Sequence, residues 1–247
     1  TTEAEFLVKD LEPDTLYDFR VRALNQYGAS IGDATVRVRT LTVRQDTKLG
    51  EKEDRLDREE DKIRREGKEE FNNDTVRIFL GENTLRRGLV SLTQSKYNKI
   101  NSFTISIPVE FVRTNRELTI REGTLILELN LRDLYTQDVR RNDKGNKDAY
   151  VNIHIERISE GHIPRGKRLA SKAYEVSFDY QYGKNTLAIN KLENPAKVTL
   201  VQDKKAYPNT KNTKLYIFNR EKGDYQPQSS TWANINTSGR FILLSDR

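Results

Sequence analysis

The sequence predicts a mainly β protein, built of antiparallel β-sandwich domains and interrupted once by a charged α-helix. Three observations carry that expectation. Apolar and polar residues alternate with period two through most of the chain, as in Tyr17, Phe19 and Val21 set against Asp18, Arg20 and Arg22. Such alternation marks strands with one face on a core. The alternating runs are short and are separated by polar turns containing Gly and Asn, which is the spacing of sandwiches and barrels. The one long stretch without alternation, residues 44–71, is instead loaded with acid–base pairs at helical spacing.

Residues 1–43 open the chain with strands. Phe6, Val8, Tyr17, Phe19 and Val21 are expected on core-facing positions, and Val36 and Val38 repeat the pattern after a turn at Gly28 to Gly32. Residues 44–72 read as a helical connector. Glu51–Arg55, Asp54–Arg58, Glu60–Arg64 and Asp61–Arg65 place an acid four residues before a base, the favourable order on a helix. Leu49, Leu56 and Ile63 recur every seven residues, but Lys52, Glu59 and Glu66 occupy the positions a coiled coil would fill. One thin stripe predicts docking on a neighbour through those three residues, with Gly67 marking the helix end.

From residue 73 onward the strand pattern returns. Val76, Ile78 and Leu80 alternate, as do Phe103, Ile105 and Ile107 before Pro108. Leu118 and Ile120 lead through a turn at Glu122-Gly123 to Leu125, Leu127, Leu129 and Leu131. Val151, Ile153 and Ile155 follow a polar loop, and the longest run is Tyr174, Val176, Phe178, Tyr180 and Tyr182. Val198 and Leu200, Leu215 to Phe218, and Phe241 to Leu244 complete the set. The expected division is a sandwich at 73–160 and, at 161–247, a second sandwich or the second half of the same β domain.

Composition narrows the function classes. With 35% hydrophobic residues the chain can bury a core, and no apolar run is long enough for a membrane-spanning helix. The absence of Cys removes disulfides, thiolate metal sites and thiol nucleophiles. The first residues lack the build of a signal peptide and no Met occurs, so the expectation is a processed or excised piece of a longer protein. The net charge of +6 comes from 43 basic and 37 acidic residues interleaved along the chain. That reads as a solvated surface, with an anionic polymer as a lesser prospect and no nucleic-acid stripe.

Two stretches resemble known families. Leu11, Pro13, Thr15, Tyr17, Phe19, Val21, Ala23, Asn25 and Gly28, with the residues between them, resemble the C-terminal half of a fibronectin type III domain. The resemblance implies that Tyr17 folds its hydroxyl back on the preceding loop as a tyrosine corner. It also makes residues 1–43 a partial domain whose open apolar face needs a cover, because three strands are not stable alone. Residues 75–247 resemble the β-rich region of bacterial, clostridial-type surface-layer and cell-envelope proteins. The carrying residues are Phe103 to Pro108, Ala173 to Phe178, Asn194 to Leu200, Leu215 to Asn219, and Trp232 followed by Gly239 to Leu244. This resemblance implies an extracellular, wall-associated spacer without catalysis. Its partners would be other envelope segments or identical subunits.

Candidate chemistry is sparse. Of the two histidines, His154 falls on the polar face of its strand and is expected to face solvent; His162 falls in a turn, Glu160 to Pro164. Their spacing does not make a zinc site, and no nucleophile elbow or phosphate-cradling loop occurs. Asp133, Asp138, Asn142, Asp143, Asn146 and Asp148 collect oxygen ligands of the kind calcium takes. Arg140, Arg141, Lys144 and Lys147 oppose a dication there, so an ordinary hairpin loop is expected. The row Tyr174, Phe178, Tyr180, Tyr182 and the single Trp232 read as core or domain junction; exposed, they would be sugar-stacking platforms. Arg165, Lys167, Arg168 and Lys172 read as a solvated basic loop. The reading is a non-enzymatic structural or assembly module with no catalytic, metal or cofactor residues. The alternative is a wall-polysaccharide-binding or adhesion module, and behind it a hydrolase with acids gathered from distant strands.

Overall fold

The computed structural model describes residues 8–22, 24–25, 28–29, 34–40, 58–59, 61–145, 148–159 and 163–246. The chain divides into two compact units, residues 1–61 and 62–247.

Among the described residues, the strands of the first unit form two small antiparallel ladders. β1 (Leu16–Val21) pairs with β4 (Ala34–Arg39), and β2 (Leu24–Asn25) pairs with β3 (Gly28–Ala29). The β1–β4 register sets Tyr17 opposite Val38, Phe19 opposite Val36 and Val21 opposite Ala34. The alternating apolar residues therefore share one face, as their period requires.

The second unit is a two-sheet sandwich. Its strands are β5 (Gly67–Asn72), β6 (Thr75–Leu80), β7 (Leu89–Ser91), β8 (Ser102–Pro108), β9 (Glu117–Glu122), β10 (Leu125–Asn130), β11 (Ala149–Ile158) and β12 (Lys167–Leu169). They continue with β13 (Ala173–Tyr182), β14 (Asn185–Ala188), β15 (Ala196–Leu200), β16 (Lys214–Asn219), β17 (Asp224–Pro227), β18 (Trp232–Ile235) and β19 (Gly239–Asp246). Short helices α1 (Glu82–Arg87), α2 (Val109–Val112) and α3 (Gln137–Asn142) join some of them. The large sheet runs β17-β16-β19-β13-β11-β8-β6-β5, with β12 on β19 and β14 on β13; the small sheet runs β18-β15-β10-β9-β7. Because β8, β11, β13 and β19 share one sheet, residues 73–160 and 161–247 are halves of one β unit.

The core lies between the sheets. Ile78, Phe103, Ile105, Ile153, Val176 and Phe178 from the large sheet meet Leu118, Ile120, Leu125, Leu127, Leu129 and Val198 from the small one. All are buried on the faces that the alternation assigned. The run Phe241 to Leu244 does not alternate because β19 is covered on both sides. Phe241 and Leu243 join the main core, while Ile242 and Leu244 join a second cluster with Tyr216 and Tyr225. A strand buried on both faces reads as a continuous apolar run.

Several expectations are corrected here. The sandwich is not purely antiparallel, since β6 pairs with β8 and β7 with β9 in parallel. The connector does not run to residue 72. Residues 58–59 and 61–66 are helical, and Gly67 begins edge strand β5. Gly67 has φ +85°, and a Cβ there would strike the carbonyl oxygen of Phe79, so only glycine makes this reversal. Leu49, Leu56 and most of the connector's expected ion pairs lie outside the described residues. Ile63 is exposed, against the expectation that it docks, because its helical neighbours are all charged. The segment after β10 is not a plain hairpin loop. A 3-10 turn at Leu131–Leu134 is followed by α3, whose Thr136 side chain caps the Val139 amide. Finally, Lys167 and Arg168 do not sit in a solvated loop but on β12, where Lys167 pairs with Asp246 at 2.5 Å.

Candidate functional site

The most organised polar constellation lies on the outer face of the large sheet. Core-facing residues on β6, β8, β11 and β13 alternate with Arg77, Thr104, Ser106, Asn152, His154, Asp179 and Gln181. The register places these side by side: Arg77 opposite Thr104, Ser106 opposite Asn152, and Asn152 opposite Asp179. One hydrogen-bonded chain then crosses four strands. Arg77 Nη2 donates to Gln181 Oε1 (2.7 Å) and Nε donates to Ser106 Oγ (2.8 Å). Ser106 Oγ donates to Asn152 Oδ1, and Asn152 Nδ2 donates to Asp179 Oδ1, each at 2.8 Å. His154 Nε2 reaches Asp179 Oδ2 at 2.5 Å, while its Nδ1 lies 3.1 Å from Thr104 Oγ1. In a neutral ring the network assigns the tautomer in which Nε2–H donates to the carboxylate and Nδ1 accepts from the hydroxyl.

His154 is therefore not the solvent-facing residue that alternation implied. Its side chain is 33% exposed and both ring nitrogens are engaged. In a broad sheet, side chains on neighbouring strands shield one another even on the polar face, and Ser106 and Asn152 are buried there. Arg77 closes one end of the row, its guanidinium 4.6 Å from the centre of the Phe79 ring, which meets Tyr150 edge-on at 5.3 Å.

Thr104, His154 and Asp179 stand in the order hydroxyl, imidazole, carboxylate. Nucleophilic catalysis also needs donors aimed at a developing oxyanion. Here β8 is paired on both sides, with β6 and with β11, so the strand's amides around Thr104 are committed to the sheet ladders. The chemistry this row supports is electrostatic. Burial pushes the Asp179 carboxyl up, but the hydrogen bonds from His154 and Asn152 outweigh it and hold the carboxyl below its ordinary value. Its contribution to stability is then fully present above the unfolded-state value, about 3.9, and is lost as pH falls through the depressed folded-state value. Asp179→Asn is expected to flatten the pH dependence of stability between about pH 5 and pH 2. Urea melts of both proteins across that range check it, and curves of unchanged slope would reject it.

The other sequence candidates fall in separate places. Tyr174, Phe178 and Tyr180 are buried core residues, and Tyr182 stacks on Tyr180 at 5.2 Å. His162 lies outside the described residues. The oxygen-rich loop does not gather its carboxylates around one point. Asp133 accepts from Asn194, and Asp138 lies 3.8 Å from Arg141. Asp143 takes Arg113 at 2.5 Å and the Tyr135 hydroxyl at 2.8 Å. Burial raises the Asp143 carboxyl, and those bonds outweigh it and keep it below the usual range. Asn146 is outside the described residues.

Trp232 is corrected. It is 45% exposed, at the β18 edge of the small sheet, with Lys197 Nζ 5.7 Å from its ring and Glu128 paired to Lys197 at 3.1 Å. On β18 the buried positions are Ala233 and Ile235, which puts Trp232 on the opposite side from Ala233.

A second surface of interest is apolar. In the first unit Val21 is 69% exposed and Val36 55%, and Val38 on the same face is also exposed. Tyr17 and Phe19 stack at 6.0 Å, and the Tyr17 hydroxyl accepts from the Glu12 amide at 2.9 Å, folding back over the preceding turn. Asp18 and Arg37 form a bidentate pair on the opposite face. Phe6 lies outside the described residues.

Sequence reasoning missed one buried feature. Glu122 follows Leu118 and Ile120 at the next core-facing position of β9, and Arg157 follows Ile153 and Ile155 in the same way on β11. The two meet inside the sandwich, where Arg157 Nε donates to Glu122 Oε1 at 2.8 Å and Nη2 donates to the same oxygen. A charge in step with an apolar alternation, on each of two strands, was the available signal.

Compared with protein families, curated proteins and solved structures, the chain finds no match.

Proposed function

We propose that this chain is a non-catalytic structural and assembly module of a secreted bacterial cell-envelope protein, located at the cell surface or wall. The hairpin of residues 8–40 would be completed there by strands from another envelope segment or an identical subunit. The observation that carries this reading is the uncovered apolar face of β1 and β4. Burying each Val is worth about 1.5–3 kcal/mol, and an isolated two-stranded hairpin is marginal in water. A face of this kind is a ready substrate for strand addition. The Tyr17-to-Glu12 hydrogen bond supports likening this segment to half of a fibronectin type III domain. The saturated Arg77-to-Thr104 row and the Cys-free composition agree with a spacer in the envelope.

Sedimentation velocity and amide exchange on residues 1–247 test the proposal. The expected result is concentration-dependent association, with slow exchange in residues 8–40 only in the associated form. Val36→Asp should abolish it. A monomer that exchanges slowly throughout residues 8–40 would sink the idea, because the hairpin would then be stable uncovered.

The exposure of Trp232 beside Lys197 favours a second reading, a binding module for wall polysaccharide. An indole face open to solvent can stack on a sugar ring, and the cation beside it would suit an acidic polymer. Quenching or blue shift of the single Trp on adding wall oligosaccharide supports that reading, and an unchanged spectrum rejects it.

A further inference from the structure

Two edges of the sandwich lie open at one end. β5 ends the strand order of the large sheet and β7 that of the small one, each paired on one side only. Between them lies a cavity of about 680 Å³ lined by Gly67, Ile78, Leu80, Val90, Leu92 and Tyr97, among others. Farther along the same strand stands a large apolar side chain with half its surface in solvent. Phe71 is 51% exposed and stacks on Tyr97 at 6.2 Å. β5 thus carries, four residues apart, a glycine beside a cavity and an uncovered phenylalanine. Their partners on β6 are the core residues Leu80 and Val76, so both fall on the core-facing side of the strand.

The pattern of β5 is complementary to itself. The β5–β6 hairpin closes with Asn72 opposite Thr75 over a two-residue turn. Counting back by twos from that bonded pair, Glu70 and Lys68 bond to β6, which leaves the amides and carbonyls of Glu69 and Phe71 on the open edge. An antiparallel copy added on that edge, with a two-fold axis at Glu69, sets Phe71 of each chain opposite Gly67 of the other, beside the cavity. On the outer face it sets Lys68 opposite Glu70, twice. Within one chain these two already pair at 2.6 Å, so the four charges alternate in sign. The two Glu69 carboxylates meet at the axis, but each is held by its own Lys96 and by the Tyr97 hydroxyl, both at 2.7 Å. A slip of two residues either way puts Glu70 against Glu70 or Lys68 against Lys68, and like charges directly opposite are destabilising. Charges on an edge commonly deter pairing; their order here selects one register.

We propose that two copies of this chain pair edge to edge through β5, joining their large sheets into one, with Phe71 of each copy filling the other's cavity at Gly67. A two-fold contact needs the same surface on both partners, and a self-complementary strand supplies it. A six-residue edge lies at the small end of specific interfaces, below about 1,200 Å². The pair is therefore weak in dilute solution and forms where copies are crowded. Every residue in it belongs to the second unit, so it is independent of the association proposed for the hairpin.

Disulfide trapping in the full chain tests it, since the sequence has no Cys of its own. All variants also carry Val36→Asp, which removes association through the hairpin. Lys68→Cys mixed with Glu70→Cys in a glutathione buffer places the two thiols opposite each other at a non-hydrogen-bonded position, where a Cα spacing of about 4.5 Å suits a disulfide. The mixed pair also keeps the second Lys68–Glu70 contact. At high protein concentration the mixture is expected to form linked dimer about ten-fold faster than either variant alone. Adding Phe71→Ala to both partners should slow that reaction about five-fold or more, with the thermal melt nearly unchanged because the side chain is half exposed. A mixture no faster than its components overturns the proposal, and so does a Phe71→Ala pair that links as fast as its parent. Should Phe71→Ala disturb the edge itself, the comparison of the mixture with the single variants still decides.

Discussion

Replacing Phe178 by Ala is expected to lower the unfolding free energy by about 3–5 kcal/mol, the range for a fully buried phenylalanine that leaves a cavity. Phe178 lies at the centre of β13, opposite Ile153 on β11, and is 3% exposed. The sheet around it is anchored on both sides, so the backbone has little freedom to collapse into the space. Urea melts followed by the fluorescence of Trp232, which belongs to the same unit, report the change directly. A loss below about 1 kcal/mol would mean that β13 does not carry the core.

Arg157→Met is expected to cost a similar amount, about 3–5 kcal/mol, for a different reason. The substitution keeps the side chain's bulk against Phe103, whose ring centre lies 5.4 Å from the guanidinium. It removes the one charged partner that Glu122 has among the described residues, leaving a carboxylate with no exposed surface and no counter-charge. The double replacement Glu122→Leu/Arg157→Met should recover most of that loss, because an apolar pair of like volume avoids the desolvation that the ion pair only offsets. If the single variant is harmless, or the double is as damaging as the single, the pair does not have the role assigned to it. Together the two experiments separate the two ways this sandwich is held: shape-matched apolar packing and one buried electrostatic clasp.

That clasp also shows how the pattern in a sequence can be read one position too short. Leu118 and Ile120 announce a core-facing stripe, as do Ile153 and Ile155, and the turn at Glu122-Gly123 is legible from its residues alone. Carrying each stripe one step further lands on Glu122 and Arg157. Nothing local says that strands thirty-five residues apart meet there.

What the sequence determined by itself is the long core strands and which side of each is apolar; β5, read as part of the helical connector, and the short strands β7, β12, β14, β17 and β18 were not legible in it. Period-two alternation is a property of the strand backbone, so Leu125, Leu127 and Leu129, or Tyr174, Val176 and Phe178, had to share a face wherever the strand lay. The tertiary structure decided what lay over each face. His154 looked solvated because its strand neighbours Asn152 and Glu156 are polar, yet Thr104 and Asp179 on adjacent strands flank it in the sheet. Trp232 looked like core because large aromatics usually are, but it sits on an edge strand, on the side away from the other sheet. Parallel pairing of β6 with β8 was equally hidden, since the crossover passes through β7 in the opposite sheet and leaves no local mark. Alternation is set by covalent geometry within one strand, whereas burial of a polar face, exposure of an edge and the meeting of two charges are set by neighbours far away in sequence.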